Sequence, residues 1–274
     1  MMRAARLLLP CLLTLLLAGC STDEMRRDFV AARYIQQAEK HLHDLPRDTA
    51  RAGAELDRAL ALLPADHDLS LRLARLYVLA RDYHTAAELF AALPEIGRHD
   101  RALLAYCLLQ TGRREAGVEM GLRVIEEAER LHRSGAITRP EWALLLNDAG
   151  YLLIDGGADL DAAHDALRRA VEALPLEAPI ADSWGWALLH RGELMEAAFH
   201  LERALRHHPR EDPEMLYHLG VVYSRLERIG EARRALQRAA ELDPGFEPAQ
   251  RELRRLGRIL PPPNLAQTPG RRAA

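Results

Sequence analysis

The stretch "PEMLYHLGVVYSRLERIGEARRALQRAAELDPG", residues 213–245, decides the fold. Apolar and small residues recur at helical spacing through Leu216, Leu219, Gly220 and Tyr223. They break at a polar turn, resume through Ala232, Leu236 and Ala239, and stop at Pro244. Gly220, Ala232 and Ala239 let two helices cross closely, and the large side chains fill what remains between them. The stretch predicts an antiparallel helix pair.

Its second helix has counterparts elsewhere. "LDRALALLP" at 56–64, "LRRAVEALP" at 167–175 and "LERALRHHP" at 201–209 align without gaps with "LQRAAELDP" at 236–244. Leu167, Leu201 and Leu236 are spaced by 34 and 35 residues, the period of a two-helix unit. The order Leu-Gly, Tyr, Ala, large apolar residue, Ala, Pro at this period resembles the tetratricopeptide repeat. That resemblance implies an all-α, right-handed superhelical solenoid of antiparallel helix pairs, closed by a C-terminal capping helix over "FEPAQRELRRLGRI".

About six units are expected at this period. One carries Ala181, Trp184, Gly185 and Leu188, then Ala197, Leu201, Ala204 and Pro209. Upstream units keep Gly150, Ala163, Leu167 and Pro175; Leu73, Ala74, Tyr77, Ala86, Phe90 and Pro94; and Ala52, Leu56, Ala59 and Pro64. The unit with Leu104, Ala105, Leu108 and Gly112 departs from the pattern, with Gly117 and Gly121 where alanine and a large residue are usual. The period breaks between Val124 and Trp142, where a long helix, a turn at Ser134-Gly135 and a capping box at Thr138 and Glu141 are expected. These features suggest two blocks, 28–134 and 135–258, with a joint between them. The Pro-rich tail over 259–274 is expected to be disordered.

The N-terminus "MMRAARLLLPCLLTLLLAGC" has Arg3 and Arg6, then an apolar run too short to cross a bilayer. Its ending "LAGC" resembles the lipobox of bacterial lipoproteins. The resemblance implies a signal over 1–19, cleavage before Cys20, acyl chains on Cys20, and a tether over 20–27. Several acyl chains hold a protein on a membrane where one does not. Ser21 after the cysteine implies sorting to the outer membrane, on its periplasmic face. Cys107 would then be the only thiol left, without a disulfide partner.

Composition narrows the function. Apolar residues make up 49% and charged residues 28%, and the net charge of −3 is spread over interleaved arginines and acids. No one-signed stripe suits a nucleic acid. No two glycines stand two apart, Lys40 follows Glu39 rather than glycine, no histidine opens H-E-x-x-H, and "GVEMG" lacks a central serine. No enzymatic activity, metal or cofactor is expected. Glu129/His132, Asp161/His164 and Glu196/His200 each share a helix face and read as solvated surface. "DGGADLDAAHD", 155–165, reads as an insertion turn in which Asp159 or Asp161 caps the next helix.

The family resemblance also implies a groove lined by first-helix residues. Carried onto this chain, it comprises Leu71, Arg75, Val78, Tyr106, Leu109, Asn147, Tyr151, Ile154, Asp182, Trp186, Leu189, His190, Tyr217, Val221 and Arg225. Such a strip suits an extended or helical peptide anchored by Tyr151, Trp186 and Tyr217. Trp184 would pack between helices while Trp186, 200° further round, would face the groove. The other reading is that these side chains meet only the neighbouring helix. Residues 147–205 also resemble the C-terminal repeats of larger outer-membrane repeat lipoproteins, some of which deliver envelope substrates to carboxy-terminal processing proteases. A membrane-tethered adaptor for an envelope protein or peptide is the expectation. Alternatives are a pilotin-like lipoprotein that escorts a secretin, and a structural homo-oligomer.

Overall fold

The computed structural model describes residues 22–62, 64–158 and 160–259. The signal segment with Cys20, the residue Asp159 and the tail beyond Ile259 lie outside these. Among the described residues there are thirteen helices and no strand. Six antiparallel pairs follow one another: α1 (Thr22–His43) with α2 (Thr49–Ala61), α3 (His67–Leu79) with α4 (Tyr83–Ala92), α5 (Arg98–Gln110) with α6 (Arg114–Arg133), α7 (Arg139–Asp155) with α8 (Leu160–Ala173), α9 (Ala178–Arg191) with α10 (Leu194–His207), and α11 (Pro213–Arg225) with α12 (Ile229–Leu242). A last helix, α13 (Glu247–Ile259), packs on α12. The chain forms two compact units, the first ending at Leu174 and the second beginning at Pro175.

Local chemistry sets the helix starts. Asp48, Asp66, Asp82 and Asp212 each accept a backbone N–H from the first turn of α2, α3, α4 and α11, satisfying donors that have no partner within the helix. Thr138 and Glu141 form the expected reciprocal capping box at the start of α7. Gly192 ends α9 with φ of 78°, the left-handed geometry that a side chain disfavours.

Within a pair, one contact recurs. A Cβ built on Gly150, Gly185 or Gly220 would lie 2.9, 2.7 or 2.6 Å from the Cγ of Leu167, Leu201 or Leu236. The glycine is the hollow into which the leucine of the second helix fits. In the third pair the roles are exchanged: Gly117 lies against the carbonyl of Ala105 and the side chain of Leu109, and Gly121 receives Leu153 of α7. The departures of this unit from the pattern therefore move the small residues onto the second helix, where two first helices press on it.

Two observations bear on the expected domain bounds. Residues 22–27, expected within a tether over 20–27, are the first turns of α1, whose Ala31, Ile35, Ala38 and Leu42 are buried on one face. A helix advances only about 1.5 Å per residue, so these residues do not give an extended reach. The boundary at 134/135 falls inside the first unit. Trp142 of α7 donates its Nε1 proton to Glu129 of α6 at 2.9 Å and stacks on His132, and Arg169 of α8 reaches Glu129 at 2.6 Å. Three helices share that carboxylate, which ties the turn at Ser134-Gly135 into the surrounding packing.

Candidate functional site

Within each unit, first helices of successive pairs are joined by polar rungs. In the first unit Arg72 reaches back to Glu39 at 2.8 Å, linking α3 to α1. Arg75 of α3 holds Asp100 of α5 through two bonds, Nε to Oδ1 at 2.6 Å and Nη2 to Oδ2 at 2.9 Å. Asp100 is buried, and its carboxylate holds the Arg75 guanidinium above its usual pKa despite partial burial. Between α5 and α7 there are two rungs, His99 to Asp148 and Tyr106 Oη to Asp155 at 2.5 Å. The donors are seven residues apart on α5 and the acceptors seven apart on α7, two helical turns in each case.

The second unit repeats the device with different chemistry. His218 Nδ1 of α11 donates to Asp182 Oδ2 of α9 at 2.8 Å, and both side chains are buried. Trp186 stacks on the His218 ring at 4.1 Å and meets His190 edge-on at 5.3 Å. Tyr217 lies 5.8 Å from Trp186 and 5.1 Å from Phe246 beside α13. Further along, Arg255 of α13 donates to Ser224 of α11 at 2.8 Å. Asp182 Oδ1 and Trp186 Nε1 are buried without a hydrogen-bond partner.

The expected groove residues therefore divide. Asn147, Ile154, Asp182, Trp186 and Val221 are buried, and Leu71, Val78, Leu189 and Tyr217 pack against the cores of their units. Leu109 lies against Gly117 and Gly156. Trp186 is only 7% exposed, whereas Trp184 is half-buried, edge-on to His200. The tryptophan expected to face outward is thus the more enclosed of the two, because His218 of the next first helix covers it. Arg75, His190 and Arg225 are exposed, and Tyr106 and Tyr151 are half-buried.

The histidine pairs read as solvated surface are also packed. His164 is buried, His132 is stacked on Trp142, and burial with the nearby Arg203 charge pulls His200 down to about 4. Cys107 is fully buried, which pushes its thiol up to about 12 and keeps it protonated. Among the described residues no group of three potential metal ligands converges.

Sequence reasoning missed His99, Asp100, Asp148, Asp155 and His218. The seven-residue spacing from His99 to Tyr106 and from Asp148 to Asp155 was a usable signal. A second signal lies on the other side of the pairs, where Tyr77 Oη donates to Asp57 at 3.0 Å and Tyr223 Oη to Glu202 at 2.9 Å. The acid follows the core leucine of the preceding unit in both cases, and where that position is Ala91, Leu122 or Arg168 the next unit has leucine in place of the tyrosine.

Comparison with known proteins agrees with this architecture. Residues 183–245 match the model of the tetratricopeptide repeat family. A TPR repeat-containing protein of Pseudomonas aeruginosa is 35% identical over 81 residues, which is 30% of this chain and 13% of that protein's length. The crystal structure of a thermophilic TPR protein from Thermus thermophilus superposes with a TM-score of 0.53 at 23% identity, over 70% of this chain and 98% of that one. The fold is all-α and of the tetratricopeptide-repeat type.

Proposed function

We propose that the protein is a non-catalytic scaffold that binds an envelope protein or peptide on its first-helix face. Lipid on Cys20 holds it at the periplasmic face of the outer membrane, where it delivers its partner to a protease or an assembly machine. The observation that carries the binding reading is the division of labour on that face. Within each unit, buried rungs such as Asp182 with His218 fix the first helices, while other side chains of those helices stay at the surface, Tyr151 half-buried in the first unit and His190 and Arg225 exposed in the second. Rigidly held side chains on a preformed surface bind with little ordering cost. The lipid anchor rests on the sequence of the N-terminus alone.

A photo-crosslinking residue placed at Tyr151 or at Arg225 in intact cells tests the binding reading. Capture of a different envelope protein supports it. Crosslinks only between copies of the chain, or none, overturn it. Cys20→Ala tests the anchor separately: release from the membrane fraction is expected, and retention would overturn the lipid assignment.

A further inference from the structure

On the first unit, the accessible part of the first-helix face is acidic. Asp100 is neutralised by Arg75. Arg98 and Arg101, the two arginines of α5, both pair with Glu127 of α6, at 3.0 and 2.7 Å. That leaves Asp148 and Asp155 of α7. Asp155 accepts from a phenol, which carries no charge; burial, and then the charge of Asp155, keep the Tyr106 proton in place. Asp148 has His99 and the Asn147 amide, the latter at a long 3.5 Å. The set Arg75, His99, Asp100, Asp148 and Asp155 carries −1 with His99 protonated and −2 with it neutral.

Three further observations add to this. Asn147 is 8% exposed, its amide lies against Asp148, and its Oδ1 is buried without a partner, an acceptor left unused beneath the acid. Asp155 is the last residue of α7, and the cation at that helix end, Arg114 of α6, sits on the Gly157 carbonyl two residues on, at 2.6 Å, rather than on Asp155. Tyr151 stands between the two acids on the same side of α7, three residues after Asp148 and four before Asp155, and is half-buried.

We infer that this face receives lysine or arginine side chains of the partner peptide, one at Asp148 with Asn147 and one at Asp155, with Tyr151 between them. The inference rests on the binding reading above and names the chemistry of what is bound. Asp148 and Asp155 lie about 10 Å apart along α7, from a rise of about 1.5 Å per residue. Two basic residues three positions apart on an extended peptide span about the same distance.

The test uses three fluorescein-labelled octapeptides and the full chain at low salt, read by fluorescence anisotropy. One is Gly-Ser-Lys-Gly-Ser-Lys-Gly-Ser; the others carry glutamine or glutamate in place of both lysines. The lysine peptide is expected to bind at least about tenfold tighter than the glutamine peptide, with the glutamate peptide weakest. Asp148→Asn with Asp155→Asn is expected to abolish that preference, and Asp165→Asn with Glu172→Gln, on the exposed face of α8, to preserve it. Tyr106→Phe removes the phenol from Asp155 while retaining the ring, and is expected to keep or strengthen lysine binding. Equal binding of all three peptides, no binding of any, or a preference that survives the double Asp148/Asp155 substitution overturns the inference. Partner capture by crosslinking is scored independently, so binding without charge preference removes only the cation assignment.

Discussion

His218 and Asp182 form a buried pair at 2.8 Å across α11 and α9, and Trp186, one turn beyond Asp182, stacks on the imidazole. Desolvating both groups is costly, and their contact offsets this only while both are present. His218→Ala would leave Asp182 buried with neither oxygen bonded, since Oδ1 already lacks a partner. A loss of about 3–5 kcal/mol is expected, measured by urea unfolding of the second unit's tryptophan fluorescence. Asp182→Asn keeps an acceptor and removes the charge, so it should cost clearly less. Equal losses would show that the pair acts through packing alone.

The close approach of Gly220 to Leu236 can be tested as a coupled pair. Gly220→Ala places a methyl 2.6 Å from Leu236 Cγ and should destabilise by about 1–3 kcal/mol through overpacking. Leu236→Ala alone should cost about 2–5 kcal/mol. In the double variant the added methyl enters the space the leucine leaves, so the combined loss should fall short of the sum. Strict additivity in urea unfolding would sink this account of the glycine.

Acid should act through His200. Its folded pKa of about 4 lies below the ordinary value of 6.5, so between these pH values the unfolded chain binds the proton more readily. The stability this group contributes is complete above about pH 6.5, declines as pH falls, and is gone below about 4. His99 works in the opposite sense. Its hydrogen bond to Asp148 raises its pKa, so its contribution is present below about 6.5 and is lost as pH rises through the folded value. Thermal unfolding from pH 7.5 to 4 should therefore show a flatter decline in His200→Asn than in the parent chain, and a steeper one in His99→Asn. Identical slopes in parent and His200→Asn would contradict the assignment.

Much of the fold is legible in residues close together in the chain. Gly220 and Leu236, or Gly185 and Leu201, sit sixteen residues apart, and the turn between them is short enough that pairing has little choice. The same proximity made the capping box at Thr138 readable. The tyrosines that donate to Asp57 and Glu202 lie twenty and twenty-one residues on, so even that contact left a trace in which residues occur together.

Periodicity names the face of a helix, but not what will stand opposite it. From the sequence alone, Trp186 faces away from the helix that Trp184 packs on, and that much holds. Which of the two meets water depended on His218, thirty-two residues away, and on how closely α11 lies against α9. The α5 to α7 rungs, each spanning 49 residues, likewise arise only when the long α6 brings the two first helices side by side. Local spacing thus determined the paired helices and their glycine-to-leucine contacts, because those partners are near neighbours in the chain. Tertiary packing decided which polar groups became buried braces and which stayed exposed, because burial depends on neighbours that no short window contains.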